Sequence, residues 1–137
     1  ALVASSDSDL NQPHGGPETR LHAVVTGGLP SDLMAFGSGK LIRQFLGGEH
    51  QDMPETYRKA SPISHVTADS PPFFLFHGAM DMLVPFDQAK RFQEALEDHQ
   101  VYSELYEMHL RGHVTSFLTA GEAVDAAIGF LAGQQEG

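Results

Sequence analysis

The sequence contains no cysteine and few cationic side chains. The absence of cysteine excludes disulfide frameworks, thiolate zinc sites and cysteine nucleophiles. Lys and Arg number 8 against 18 Asp and Glu, which gives a formal net charge of −10. Because a phosphate backbone or an anionic bilayer is bound through a cationic face, neither a nucleic acid nor a membrane surface is the expected partner.

Long hydrophobic runs are also missing, and none approaches the roughly 20 residues that a membrane span needs. The chain of 137 residues corresponds to a single domain over 1–137. Its first four residues, ALVA, are too few for a signal peptide and look like the end of a helix that starts upstream. We therefore expect 1–20 to be a helix end followed by a polar loop, and 21–137 to carry strand–helix units.

Three short apolar runs predict strands. The run at 21–27 is rich in β-branched residues and ends at a Gly-Gly pair, and 102–108 alternates apolar with polar side chains. The run at 73–78, FFLFHG, is continuously apolar, which is typical of a strand buried on both faces of a parallel sheet. The sequence therefore predicts a mostly parallel sheet in which these strands follow chain order.

Helices are predicted at 39–46, 86–98 and 116–132, alternating with the strands. Each range spaces apolar residues by three or four positions, as an amphipathic helix does. The apolar faces consist of Leu41, Ile42, Phe45 and Leu46 in the first helix, Phe86, Ala89, Phe92 and Leu96 in the second, and Phe117, Val124, Ile128 and Leu131 in the third.

The remaining segments are predicted to be irregular. Residues 30–37 carry no clear period, and 49–72 contains four prolines, which leave room for at most a helical turn near 55–59. Alternating strands and helices indicate an α/β fold, a parallel sheet with flanking helices. Three strands are few for such a sheet, and we expect a further part upstream.

Two residues are candidates for acid–base chemistry. Asp81 follows the 73–78 strand and His113 follows the 102–108 strand, 32 positions later. Loops that leave neighbouring parallel strands at the same sheet edge can meet, because such strands lie about 4.8 Å apart. A carboxylate beside an imidazole fixes its tautomer and stabilises its protonated form, as acyl transfer requires.

Longer motifs surround both residues. Residues 77–85 read HGAMDMLVP, and Gly112, His113 and Phe117 form a second motif. Both motifs resemble the C-terminal part of the α/β-hydrolase esterases, among them the acetyl-esterase, feruloyl-esterase-like and carboxylesterase groups. The first is similar to the family's "HGxxDxxVP" segment and the second to its "GH…F" segment. This resemblance implies that Asp81 is the acid and His113 the general base of a Ser-Asp-His triad.

One part of the family pattern is missing. The nucleophile of these hydrolases lies in a G-x-S-x-G turn, and this sequence contains no such motif. The resemblance therefore implies the C-terminal half of an α/β-hydrolase, with a nucleophile that is not in this chain. Its substrate would be a small ester, once an upstream half completes the site.

Other histidines and glycines do not indicate a cofactor. His109 and His113 are four apart but follow a strand pattern, and His65 and His77 belong to no H-E-x-x-H motif. The glycine pairs lack the context of a dinucleotide-binding or phosphate-binding loop. We therefore expect neither a metal nor another cofactor.

Alternatives to the esterase remain open at the level of sequence. A catalytically inactive half-fold could serve as a binding or assembly module, and a peptidase or thioesterase would use the same acid and base. A half-fold also leaves the edge of the 21–27 strand uncovered. We therefore expect a homo-oligomer or pairing with the missing N-terminal half, burying Val24 and Val25 from both sides.

Overall fold

The computed structural model describes residues 20–37 and 39–135. The predicted helix end at 1–4 and the loop at 5–19 lie outside the described residues. Within the described part, no helix combines the length and the apolar character that crossing a bilayer requires.

A three-stranded sheet forms the centre of the fold. Its strands are β1 (Val24–Gly27), β2 (Phe73–Gly78) and β3 (Ser103–Met108). They are parallel and adjacent in chain order, with Val24 paired to Phe73 and Phe73 paired to Ser103. The predicted parallel α/β sheet and its order are thus confirmed, although β1 begins three residues later than predicted.

The helices that connect and follow the strands are, in chain order, α1 (Leu33–Phe36), α2 (Lys40–Leu46), α3 (Pro54–Ala60), a 3₁₀ helix (Pro62–His65), α4 (Asp87–Asp98), α5 (His113–Leu118) and α6 (Gly121–Gln135). The predicted second helix corresponds to α4, and the predicted first helix to α2. The helical turn predicted near 55–59 is present as part of α3, whereas the 3₁₀ helix lies in a stretch that was predicted to be loop. Each begins with a proline, which starts a helix at its first position rather than breaking it.

Two further predictions are corrected. The segment 30–37 contains α1, whose first turn is capped by the Asp32 carboxylate accepting a hydrogen bond from the Ala35 N–H. The helix expected over 116–132 is two helices, α5 and α6. They separate after α5, where the Thr119 hydroxyl donates to the Thr115 carbonyl at 2.6 Å, a side-chain bond that competes with continued helix.

The hydrophobic core lies on both faces of β2. On one face Phe73 and Leu75 pack against Phe92 and Leu96 of α4, and on the other Phe74 packs against Phe130 of α6. Burying a large apolar side chain contributes roughly 1.5–3 kcal/mol, so burial of Phe73, Phe74 and Leu75 makes this central strand a large contributor to stability. The continuous apolar run of β2 reflects this two-sided burial.

The apolar faces of α2 and α6 are not buried in the described part of the chain. In α2 no residue is buried, and Phe45 is 83% exposed. In α6 the buried side chains are those of Ala123, Ala127 and Phe130, of which Ala127 and Phe130 pack in one cluster with Phe74. The apolar side chains of the predicted third helix are all exposed: Phe117, which lies in α5, and Val124, Ile128 and Leu131 in α6. Helical periodicity identified an apolar face in each case, but the described part of the chain leaves most of it uncovered.

Candidate active site

Asp81 lies in the loop that follows β2. Its Oδ1 atom accepts hydrogen bonds from the main-chain N–H groups of Leu83, at 2.9 Å, and Val84, at 2.8 Å. The carboxylate side chain is 1% exposed. Two main-chain donors on one oxygen fix the plane of the carboxylate, so its second oxygen points in a defined direction.

His113 is the first residue of α5, after the loop that follows β3. The start of this helix is held by Thr115, whose hydroxyl oxygen accepts from the Gly112 N–H at 2.8 Å. Close approach to β2 requires Gly78, because a Cβ atom there would clash with the Arg111 carbonyl oxygen and the Ser116 hydroxyl. The missing side chain at Gly78 therefore lets the segment that carries His113 rest directly on the strand that leads to Asp81.

The structure brings the two predicted residues into contact. Oδ2 of Asp81 lies 2.7 Å from Nδ1 of His113. Since a carboxylate can only accept, Nδ1 carries the proton and Nε2 is left with its lone pair in the neutral imidazole. Among the described residues, none makes a hydrogen bond to Nε2, and the side chain is 27% exposed. The predicted hydrogen-bond geometry is therefore present.

The carboxyl group of Asp81 is held in its ionised form. Burial alone would raise its pKa, but hydrogen bonds from the Val84 N–H, His113 and the Leu83 N–H together lower the pKa below its ordinary value. An ionised carboxylate at Nδ1 favours a proton on that nitrogen and stabilises an imidazolium once Nε2 accepts a second proton.

A third residue of the site, His77, was considered at the level of sequence only as a possible metal ligand. His77 lies in β2 and is 1% exposed. Its Nε2 atom lies 2.8 Å from the Val84 carbonyl oxygen and 3.5 Å from Oδ2 of Asp81. Because a carbonyl only accepts, Nε2–H is the donor, and it ties the end of the Asp81 loop to β2. The HG pair in the 77–85 motif was the signal for this role.

The other candidates do not meet at this site. His109 faces Glu107, with Nδ1 3.3 Å from Oε1, and Nε2 of His65 lies 2.7 Å from the Lys59 carbonyl oxygen. Over residues 20–37 and 39–135, no three His, Asp or Glu side chains are grouped to hold a metal ion. The arrangement offers an oriented general base, and the chemistry it can perform is proton transfer to and from a group placed at Nε2.

Comparison with known protein families gives one match that covers most of the chain. The family model described as BD-FAE matches residues 4–96, which include Asp81 and end before His113. Among curated proteins of Mycobacterium tuberculosis, the chain is 38% identical over 94 residues to the esterase LipQ, and 37% identical over 75 residues to the probable carboxylic ester hydrolase LipM. These alignments cover 63% and 54% of this chain but only 22% and 17% of the relatives.

Solved structures show the same fold. A truncated carbohydrate esterase from gut microbiota superposes with a TM-score of 0.77 at 20% identity, over 87% of this chain and 44% of that one. Esterase 2 of Thermogutta terrifontis, phosphoramylated by tabun, superposes with a TM-score of 0.70 at 24% identity, over 96% and 49%. The chain thus spans about half the length of these structures.

Proposed function

This chain belongs to the BD-FAE family of α/β-hydrolase esterases, and we propose that it supplies the acid and the general base of a serine carboxylic-ester hydrolase. The observation that carries the proposal is the 2.7 Å hydrogen bond between Asp81 and Nδ1 of His113. The ester hydrolases LipQ and LipM, which share 37–38% identity with aligned parts of the chain, support an ester as the substrate.

The mechanism assigns one role to each residue. His113 takes the proton of a serine hydroxyl at Nε2 while the hydroxyl oxygen attacks the ester carbonyl carbon. Asp81 stabilises the imidazolium that forms. His113 then returns the proton to the leaving alcohol, and the same cycle with water releases the acid and restores the serine. The base must be a neutral imidazole with a free lone pair on Nε2 before it accepts a proton. A proton fixed on Nδ1 is therefore a condition for the attack of the serine and for the attack of water.

The serine in this proposal comes from outside the 137 residues. No G-x-S-x-G motif is present in the sequence, and the chain spans about half of the esterase structures it matches. We infer that a segment carrying the nucleophile and the oxyanion donors docks on this chain, either from an upstream half or from another polypeptide.

Uncovered apolar surface supports such docking. Val124, Ile128 and Leu131 form an exposed stripe along α6, at positions separated by four and three residues. Within the described chain β1 pairs only with β2, so the other edge of β1 is open. Val25 of this strand is 38% exposed. An open strand edge pairs readily, and contiguous apolar surface marks an interface.

A chimera tests the proposal. In the chimera, this chain replaces the region of LipQ that it matches, and the upstream part of LipQ is kept. Hydrolysis of p-nitrophenyl acetate by the chimera is then measured. We expect activity that falls by at least about 10³-fold in His113→Ala and is kept in His109→Ala, since only His113 contacts Asp81. A folded chimera without activity, or an equal loss in both variants, would contradict the proposal and favour an inactive binding module.

A further inference from the structure

Gly28, the residue after β1, lies against the imidazole of His113. A Cβ atom built on Gly28 would be 3.0 Å from Cε1 and 3.3 Å from Nδ1 of His113. Both distances are shorter than the roughly 3.5–4.0 Å at which carbon atoms pack best. Because glycine has no Cβ atom, the edge of the ring that bonds Asp81 can lie closer to the main chain of residue 28 than any other residue would allow.

The backbone at Gly28 cannot easily yield to make room. Its N–H donates to the Phe76 carbonyl oxygen at 3.1 Å, which extends the pairing of β1 with β2 by one residue. Its φ is +57°, in the left-handed region that residues with a Cβ atom disfavour. A substitution here therefore meets a fixed main chain, and the movable partner is the ring of His113.

A second neighbour of the ring also lies close to Gly28, because a Cβ atom there would be 3.4 Å from Cε2 of Phe117. Phe117, one turn along α5, contacts the His113 ring edge to face, with centroids 5.4 Å apart. Phe117 in turn contacts Phe76 of β2, with centroids 6.0 Å apart. The imidazole thus contacts Phe117 and lies against Gly28, while Asp81 holds Nδ1. Any displacement of the ring away from Gly28 directly alters the 2.7 Å hydrogen bond to Asp81.

We propose that Gly28 is a positioning residue, whose bare main chain sets the His113 ring at hydrogen-bonding distance from Asp81. In the esterase it would act through His113 and touch neither substrate nor nucleophile. The assignment rests on the proposed function for its catalytic meaning, but the hydrogen bond itself can be observed in the 137-residue chain.

The test compares two glycines of positive φ. Gly47 has φ +90°, and a Cβ atom added there would meet nothing within 4 Å, so Gly47→Ala introduces backbone strain without a contact. Gly28→Ala introduces strain together with the contact on His113. The readout is the proton resonance of the His113 Nδ1–H in the ¹⁵N-labelled chain, which a bond to a carboxylate shifts downfield and protects from exchange with water.

We expect Gly47→Ala to keep this resonance and Gly28→Ala to lose it or move it upfield. Gly28→Asn serves as a second variant, since asparagine tolerates positive φ better than alanine and carries the same Cβ atom. An unchanged resonance in folded Gly28→Ala or in folded Gly28→Asn would overturn the assignment. Loss of the fold in both Gly28 variants, with Gly47→Ala still folded, would also overturn it. Gly28 would then be needed for the sheet rather than for the position of His113.

The result for Gly28 can be distinguished from the result of the chimera experiment that tests the proposed function. If the resonance responds as expected but the LipQ chimera is inactive, Gly28 positions a histidine that is not a catalytic base. If the chimera is active and Gly28→Ala lowers its kcat at least about tenfold while Gly47→Ala does not, the proposed function and the role of Gly28 are both supported.

Discussion

Nδ1 of His113 lies 2.7 Å from Oδ2 of Asp81, although 32 positions separate the two residues in the sequence. The contact is set by two neighbouring parallel strands, which deliver both loops to the same edge of the sheet. The other oxygen of Asp81 is held by the N–H groups of Leu83 and Val84. The orientation of the histidine is therefore built into the fold before any substrate binds.

The carboxyl group of Asp81 should respond to the loss of its partner. Burial raises the pKa of Asp81, and the bonds from Val84, His113 and Leu83 together lower it by more. In His113→Phe we expect this pKa to rise, while His109→Phe leaves it unchanged. A ¹³C NMR titration of the Asp81 carboxyl measures both, and an unaltered value in His113→Phe would contradict the role of the pair.

The same shift predicts how stability depends on pH. Because the folded-state pKa of Asp81 lies below its unfolded-state value of about 3.9, its contribution to stability is complete above that pH. The contribution is lost as the pH falls through the folded-state value. Urea unfolding should therefore show a smaller loss of stability on acidification in Asp81→Asn than in the unaltered chain or in Asp69→Asn, an exposed control.

His77 should be replaceable by glutamine but not by asparagine. The amide nitrogen of glutamine can reach the position of Nε2 and donate to the Val84 carbonyl, whereas that of asparagine corresponds to Nδ1, which has no hydrogen-bond partner among the described residues. We expect His77→Asn to lower the free energy of unfolding by about 1–3 kcal/mol, and His77→Gln by less. Equal losses in urea unfolding would show that Nε2–H does not hold the loop.

The chain alone should not react as a serine hydrolase. Ser31, Ser61 and Ser116 are buried and direct their hydroxyls to main-chain carbonyls, and no G-x-S-x-G motif is present. After treatment with a fluorophosphonate, mass spectrometry should find the 137-residue chain unmodified. A stoichiometric adduct that His113→Ala abolishes would place the nucleophile within this chain.

The apolar stripe on α6 should mediate association. A charge in this stripe opposes burial, so Ile128→Glu is expected to shift the isolated chain toward the 14.9 kDa monomer in sedimentation analysis. Gly129→Glu is the matched control, because it adds the same charge next to the stripe at an exposed position with no neighbour within 4 Å. If the unaltered chain is already a monomer, or both variants dissociate alike, the stripe is not the interface.

Much of this fold follows from local patterns. The β2 strand was predicted with its observed bounds because continuous apolar residues over six positions leave a two-sided buried strand as the simplest solution. The contact of Asp81 with His113 was predicted from strand ends and from a family resemblance. Distance along the chain does not obstruct such a prediction when parallel strands return each loop to one edge.

Other features depend on information that periodicity does not carry. The stripe of Val124, Ile128 and Leu131 has helical spacing, yet the buried side chains of α6 are Ala123, Ala127 and Phe130. An apolar face indicates that a packing partner buries it, but does not indicate whether that partner lies in the same chain. The role of Gly28 could not be predicted either, since a Gly-Gly pair after a strand is common and its use depends on where His113 lies.

The central claim is that Asp81 and His113 act as one catalytic unit, and a double-mutant cycle tests it most directly. The kcat of the LipQ chimera is measured for Asp81→Asn, His113→Ala and the two substitutions combined. We predict losses of about 10⁴-fold and about 10⁶-fold for the single variants, and a combined loss no larger than that of His113→Ala alone. Losses that multiply in the double variant, or an Asp81→Asn variant with undiminished kcat, would contradict the account.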